Sequence, residues 1–176
     1  MNINIDKRTA KTALIGILTA QALAFSFLES MIPPIPELPP GAKPGFSNII
    51  TMFAAESISL PCALGITAAK ALFAFITRGF SAAAMSFCGG MLSTITMYFL
   101  LRSKKSPFGF SGIGIICACA HNLGQLIAAA FLMGTAATFG YAPVMLVFAV
   151  ITGLVTGSIF KILLPVLKKQ KRFFLK

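Results

Sequence analysis

The residues able to do chemistry in this 176-residue chain are the polar ones set inside apolar stretches. Lys70 stands alone in PCALGITAAKALFAF (61–75). His121 and Gln125 lie four apart in AHNLGQ (120–125), so they share one face of a helix, with Asn122 beside them. Gln21 interrupts ILTAQALAF (17–25), and Ser93 and Thr94 interrupt a fourth stretch. An ammonium among apolar residues needs a carboxylate, phosphate or carbonyl beside it. The acids within the chain are Glu29 and Glu56, and, less suited, Asp6 and Glu37. Lys70 therefore has three readings: a structural pair with Glu56, a ligand contact, or a side chain that snorkels to an interface. His121 is either a packed histidine bonded to a helix neighbour or a ligand-reading group. Metal ligation is not expected, because it is the only histidine and no acidic cluster surrounds it.

Several chemistries lack their residues. No glycine-rich phosphate loop is present. Asp6 is the only aspartate, so there is no aspartate-rich motif to hold magnesium on a pyrophosphate. No arrangement of nucleophile, histidine and acid is visible. The expectation is a non-enzyme without a cofactor. Cys62, Cys88, Cys117 and Cys119 all lie in apolar runs and read as small hydrophobic packing residues. The pair Cys117 and Cys119 would suit a redox subunit holding an iron–sulfur cluster only if further cysteines followed a cluster spacing, and none does.

The elements that carry these residues follow from composition. The chain is 57% hydrophobic and 11% charged, with net charge +11 and mean hydropathy +0.88. A soluble domain is about 45–50% apolar and about 25% charged, and a disordered chain has far fewer large apolar residues. A nucleic-acid partner is not expected, since there is no solvated basic face to spare. The reading is a single all-α integral membrane domain over 1–176. Its first apolar run reads as a retained helix, because it is longer than a signal-peptide core.

Five runs are long enough to span a bilayer: 10–28, 60–77, 82–101, 113–133 and 143–164. The segment 46–57 is about half that length. Charge decides its status. Lys7, Arg8, Lys11, Arg102, Lys104, Lys105, Lys161, Lys168, Lys169, Lys171, Arg172 and Lys176 are twelve of the fifteen basic residues. All belong on the cytoplasmic side by the positive-inside rule. An even number of crossings must then precede Arg102, so 46–57 counts as a short second helix. The expectation is a six-helix bundle with both termini cytoplasmic. Outside lie a proline-rich loop at 29–45, the turn near Arg78 and the loop 134–142.

With about 1.5 Å of rise per residue, Gln21, Lys70, His121 and Gln125 fall roughly 12–18 Å from the cytoplasmic edge. Ser93 and Thr94 join that layer from the opposite direction. The layer suits a central or outward-open pocket. The loop 29–45 contains six prolines and cannot be helical; its length suits a lid more than a connector. Gly16, Ala20 and Ala24 in the first helix, and Ala149, Gly153 and Gly157 in the last, repeat small residues every four positions. Such stripes let helices approach closely in lipid, either within the bundle or against another membrane subunit.

Three segments carry a family resemblance: PGAKPGFSNIITMFA (40–54), FCGGMLSTITMYFLLR (87–102) and ICACAHNLGQLIAAAFLMGT (116–135). They resemble the Gx transporter family, labelled heptaprenyl diphosphate synthase component I and similar to the S components of energy-coupling factor (ECF) vitamin transporters. The likeness extends over nearly the whole chain. It implies a six-helix S-component fold and a substrate site toward the outer side, capped by the loop after the first helix. It also implies docking of Ala20 and Ala24 on a transmembrane coupling subunit that is bound to two ATP-binding subunits.

Lys43 and Arg78 fall on the outer side and Lys70 deeper, which favours an anionic small-molecule substrate. Asn48, His121, Asn122 and Gln125 suit the reading of a heterocycle, and Phe46 and Phe80 suit stacking on it. The solute classes considered are a flavin, an isoprenoid or quinone precursor, or another ring-bearing anion. The competing function is a membrane accessory subunit of a heptaprenyl diphosphate synthase.

Overall fold

The computed structural model describes residues 7–31, 45–102 and 109–174. Among these residues the chain forms six α-helices and no strand: α1 (Lys7–Ser30), α2 (Asn48–Ser57), α3 (Leu60–Arg78), α4 (Phe80–Arg102), α5 (Phe110–Met133) and α6 (Ala142–Phe174). A short 3-10 helix, Ala136–Tyr141, joins α5 to α6. Helices are the expected solution here, because hydrocarbon offers no water to backbone N–H and C=O groups. Five spans among the described residues are long and apolar enough to cross a membrane. The sixth helix, α2, has 10 residues and reaches only about 15 Å.

The helices alternate in direction, as the contacts at the two ends of the bundle show. Glu29 near the end of α1, Ser47 just before α2 and Arg78 at the end of α3 line one pocket. At the other end Glu56, near the end of α2, pairs with Lys168 of α6 at 3.0 Å. Lys171 donates there to the backbone oxygen of Ser57. A single residue, Gly79, separates α3 from α4. Its φ of +86° is a conformation that a side chain disfavours, which allows so short a reversal.

The core forms around α2. Its residues Ile49 to Ala55 are all buried, and it packs against α1, α3, α4 and α6. Leu14, Leu18 and Ala22 of α1 join Phe53 of α2, Met97 of α4 and Phe160 of α6 in one apolar cluster. The rim is equally apolar. Phe131 is 87% exposed, and Ile76, Ile162 and Phe99 are also largely exposed. An apolar core with an apolar exterior is the signature of a bundle sitting in lipid.

The last helix is longer than its apolar run. There α6 continues past Leu164 to Phe174 through the lysine-rich segment. The apolar run ends where the hydrocarbon is expected to end, but the helix does not. The loop 134–142 is mostly 3-10 helix rather than irregular chain. The proline-rich segment 32–44, including Lys43, lies outside the described residues.

The two small-residue stripes have different fates. Ala149, Gly153 and Gly157 of α6 are buried. A Cβ on Gly157 would stand 2.5 Å from the Phe110 oxygen of α5, so this stripe packs internally. Gly16, Ala20 and Ala24 of α1 are exposed on the outside of the bundle, and Gly16 has nothing within 4 Å of an added Cβ.

Candidate functional site

A turn and three helices bring the polar side chains together. The chain enters α2 through Gly45, whose φ is +88°. Its carbonyl accepts from the Asn48 N–H at 3.0 Å. A Cβ at Gly45 would stand 3.0 Å from Asn48 Nδ2 and 3.4 Å from the His121 ring, so a side chain here would crowd both groups as well as strain the backbone. The turn places Asn48, the first residue of α2, above the middle of α3 and α5.

There Lys70 of α3 donates to Asn48 Oδ1 at 2.7 Å. Asn48 Nδ2 lies 3.3 Å from His121 Nδ1 of α5. Gln125, one turn further along α5, has its side-chain nitrogen 2.9 Å from His121 Nε2. The result is a continuous chain of four polar side chains across three helices. Lys70, His121 and Gln125 are each 5% exposed or less. Close approach of α4 makes room for the ring, since a Cβ on Gly89 would meet the His121 backbone oxygen at 2.7 Å.

Above this chain lies a carboxylate. Glu29 accepts from the Ser47 N–H at 3.1 Å and from its hydroxyl at 3.2 Å. Glu29 and Ser47 line one pocket with Lys70, Arg78, His121 and Gln125. Its cavity is about 10 Å³, room for about one water. On the other side of Asn48 is a second small cavity of about 20 Å³, where Ser93, Thr152 and Thr156 add hydroxyls to an otherwise apolar wall. Two cations and one carboxylate, all pointed at one small space, can bind and orient a compact polar group with net negative charge.

The expected site residues separate into those brought together and those not. Asn48, Lys70, Arg78, His121 and Gln125 converge. Asn122 does not join them: it donates to the Met145 carbonyl of α6 at 2.7 Å. It lines a different, apolar cavity of about 450 Å³ between α5 and α6. One residue of helix turns a side chain about 100° from its neighbour, which carries Asn122 away from His121. Gln21 is half-buried on α1 and lines neither small pocket. Phe80 is 66% exposed at the start of α4, and neither it nor Phe46 lines those pockets. The Lys70–Glu56 pair is replaced on both sides, Glu56 bonding Lys168 and Lys70 bonding Asn48. Thr94 ties α4 to α3 by a 2.9 Å contact with Thr67, and Ser93 faces the second cavity.

Glu29 was foreseeable only as one acid among four. Its role as acceptor for Ser47 follows from the end of α1 meeting the start of α2. Ser26, one turn before Glu29 on the same helix, lines the pocket too. Its position three residues from an acid was the available signal.

A solved structure of the S component of a bacterial ECF transporter has the same fold. It superposes with a TM-score of 0.61 at 19% identity, over 96% of this chain and 99% of that one. No curated protein sequence matches. The model of the family described as heptaprenyl diphosphate synthase component I matches residues 18–163, and with most of its length matched, the chain belongs to that family.

Proposed function

We propose that this chain is the substrate-binding S component of an ECF-type transporter in a bacterial cell membrane. It binds a small vitamin- or cofactor-like solute and tips in the bilayer with an ATPase-driven coupling module. The observation that supports this most is the buried chain Lys70–Asn48–His121–Gln125, set in a fold shared with an S component. Polar and ionisable groups are costly within a membrane and are kept where they bind or conduct something. Lys43, Asn48, Lys70, Arg78, His121 and Gln125 form the proposed solute site. The exposed stripe Gly16, Ala20 and Ala24 forms the proposed contact with the transmembrane coupling subunit, which carries two ATP-binding subunits. Both termini lie in the cytoplasm on this reading, and the end of the bundle near Glu29 faces outward.

Ligand pockets for small molecules usually measure about 300–1,000 Å³, far more than the 10 Å³ here. On this reading the described conformation is a closed one, and a larger solute enters only when the pocket widens. The test is uptake of solute into vesicles holding the chain with ECF coupling subunits, repeated with Lys70→Ala and Gln125→Ala. Uptake lost in both variants is expected; uptake unchanged in both removes the site.

A second reading is favoured by the family's own description, which names a synthase component. It makes the chain a membrane accessory of a heptaprenyl diphosphate synthase. Co-purification separates the two: coupling subunits and ATPases accompany an S component, and a soluble prenyl synthase accompanies the accessory.

A further inference from the structure

Lys70 can only donate, so the Asn48 atom 2.7 Å from its Nζ is the oxygen. The other end of the Asn48 amide is then NH2, and it points at His121 Nδ1 from 3.3 Å. A ring nitrogen facing an N–H accepts, which leaves Nδ1 bare and puts the hydrogen of the neutral ring on Nε2; the alternative, an Nδ1–H donating to the Gly89 backbone oxygen that also approaches the ring, would give up the Asn48 contact. Nε2–H in turn requires an acceptor. The Gln125 nitrogen 2.9 Å away cannot be one, whereas the Gln125 oxygen sits buried with no hydrogen-bond partner. Exchanging the two ends of that amide satisfies both groups at once. The oxygen then accepts from His121, and the NH2 takes the unpaired position beside the pocket that Gln125 lines.

We infer that Lys70, acting through Asn48 and His121, sets Gln125 as a hydrogen-bond donor to the ligand. The site therefore takes a molecule presenting an acceptor there: a carbonyl, carboxylate or phosphate oxygen. This rests on the reading of the pocket as a solute site. Every other strong group on that side, the Lys70 ammonium and the Arg78 guanidinium, is also a donor. Glu29 is the exception; Ser47 takes one acceptor site on each of its oxygens, and its charge lies against the Arg78 guanidinium. A ligand amine would meet one carboxylate, already set against Arg78, and donors from Lys70, Arg78 and Gln125.

The chain has one histidine, so ¹⁵N labelling of histidine gives NMR signals from this ring alone. Wild-type protein is expected to show Nε2 protonated and Nδ1 bare. A ring protonated on Nδ1 overturns the inference. Asn48→Asp, close to isosteric, puts an acceptor opposite Nδ1 and is expected to move the hydrogen to Nδ1. An unchanged tautomer in that variant also overturns it. Ligand polarity is read with a matched pair of probes, benzoate and benzylammonium, by thermal unfolding of the purified protein. Benzoate is expected to bind tighter by on the order of tenfold, and Gln125→Glu to abolish that preference. Equal shifts with the two probes, or a preference for the amine, overturn the acceptor assignment. None of these measurements needs a coupling module, so failure of the transporter reading is seen separately.

Discussion

Lys70 donates to the side-chain oxygen of Asn48 at 2.7 Å, joining the middle of α3 to the first residue of α2. A buried hydrogen bond to a charged group stabilises by about 1.5–3 kcal/mol, and removing one member of such a contact costs more than replacing both together. Asn48→Leu is therefore expected to destabilise the protein by about 2 kcal/mol. The double variant Asn48→Leu with Lys70→Met should recover most of that loss. Thermal unfolding in detergent completes the cycle. Additive losses in the two single variants would mean that the residues do not interact.

The crossing of α4 and α5 depends on two glycines. A Cβ on Gly124 would stand 2.6 Å from the Cys88 oxygen and 2.7 Å from Gly89 Cα. These are backbone atoms that cannot rotate away. Gly124→Ala should cost about 1–3 kcal/mol through overpacking and should disturb the His121 ring next to Gly89. Gly65→Ala, with nothing within 4 Å, should be neutral or stabilising by up to about 1 kcal/mol through helix propensity. Equal melting points for the two variants would contradict the crossing described.

The exposed stripe on α1 makes a separable prediction. Ala20→Leu and Ala24→Leu enlarge residues on the outside of the bundle, so folding and probe binding should persist. Co-purification with ECF coupling subunits should fall severalfold, because bulky residues prevent close helix approach in lipid. Retention of the coupling subunits by the double variant would remove the stripe from the interface.

Topology has its own measurement. In a protein whose native cysteines are replaced, a cysteine introduced at position 104 should react only with reagent on the cytoplasmic side. Labelling from outside would invert or break the six-crossing arrangement.

Much of the fold was legible because lipid imposes one rule, long apolar helices separated by charge. The short α2 was found by counting charges rather than by hydropathy. The site was legible only within single helices. His121 and Gln125 at four-residue spacing point the same way on any helix, and the structure joins them. No periodicity connects residue 48 to residue 70, so the Lys70–Asn48 contact had no sequence signal. The wrong partner, Glu56, was still open to exclusion by depth. Glu56 sits near the C-terminal end of α2, while Lys70 lies ten residues into α3, roughly 15 Å from that end. The two glycine–alanine stripes show the opposite limit. They have identical spacing, yet one is buried against α5 and the other is exposed, because spacing carries no information about which neighbour a face meets.

Helix α2 has a pocket residue at one end, and an ion pair and a backbone hydrogen bond at the other. Asn48 touches Lys70 and His121; Glu56 and Ser57, eight and nine positions later, are gripped by Lys168 and Lys171 of α6. Between them every residue from Ile49 to Ala55 is buried, so the helix has no slack to bend into. One short helix thus ties the turn at Asn48 to the lysine-rich end of α6, two places that the chain order leaves more than a hundred residues apart.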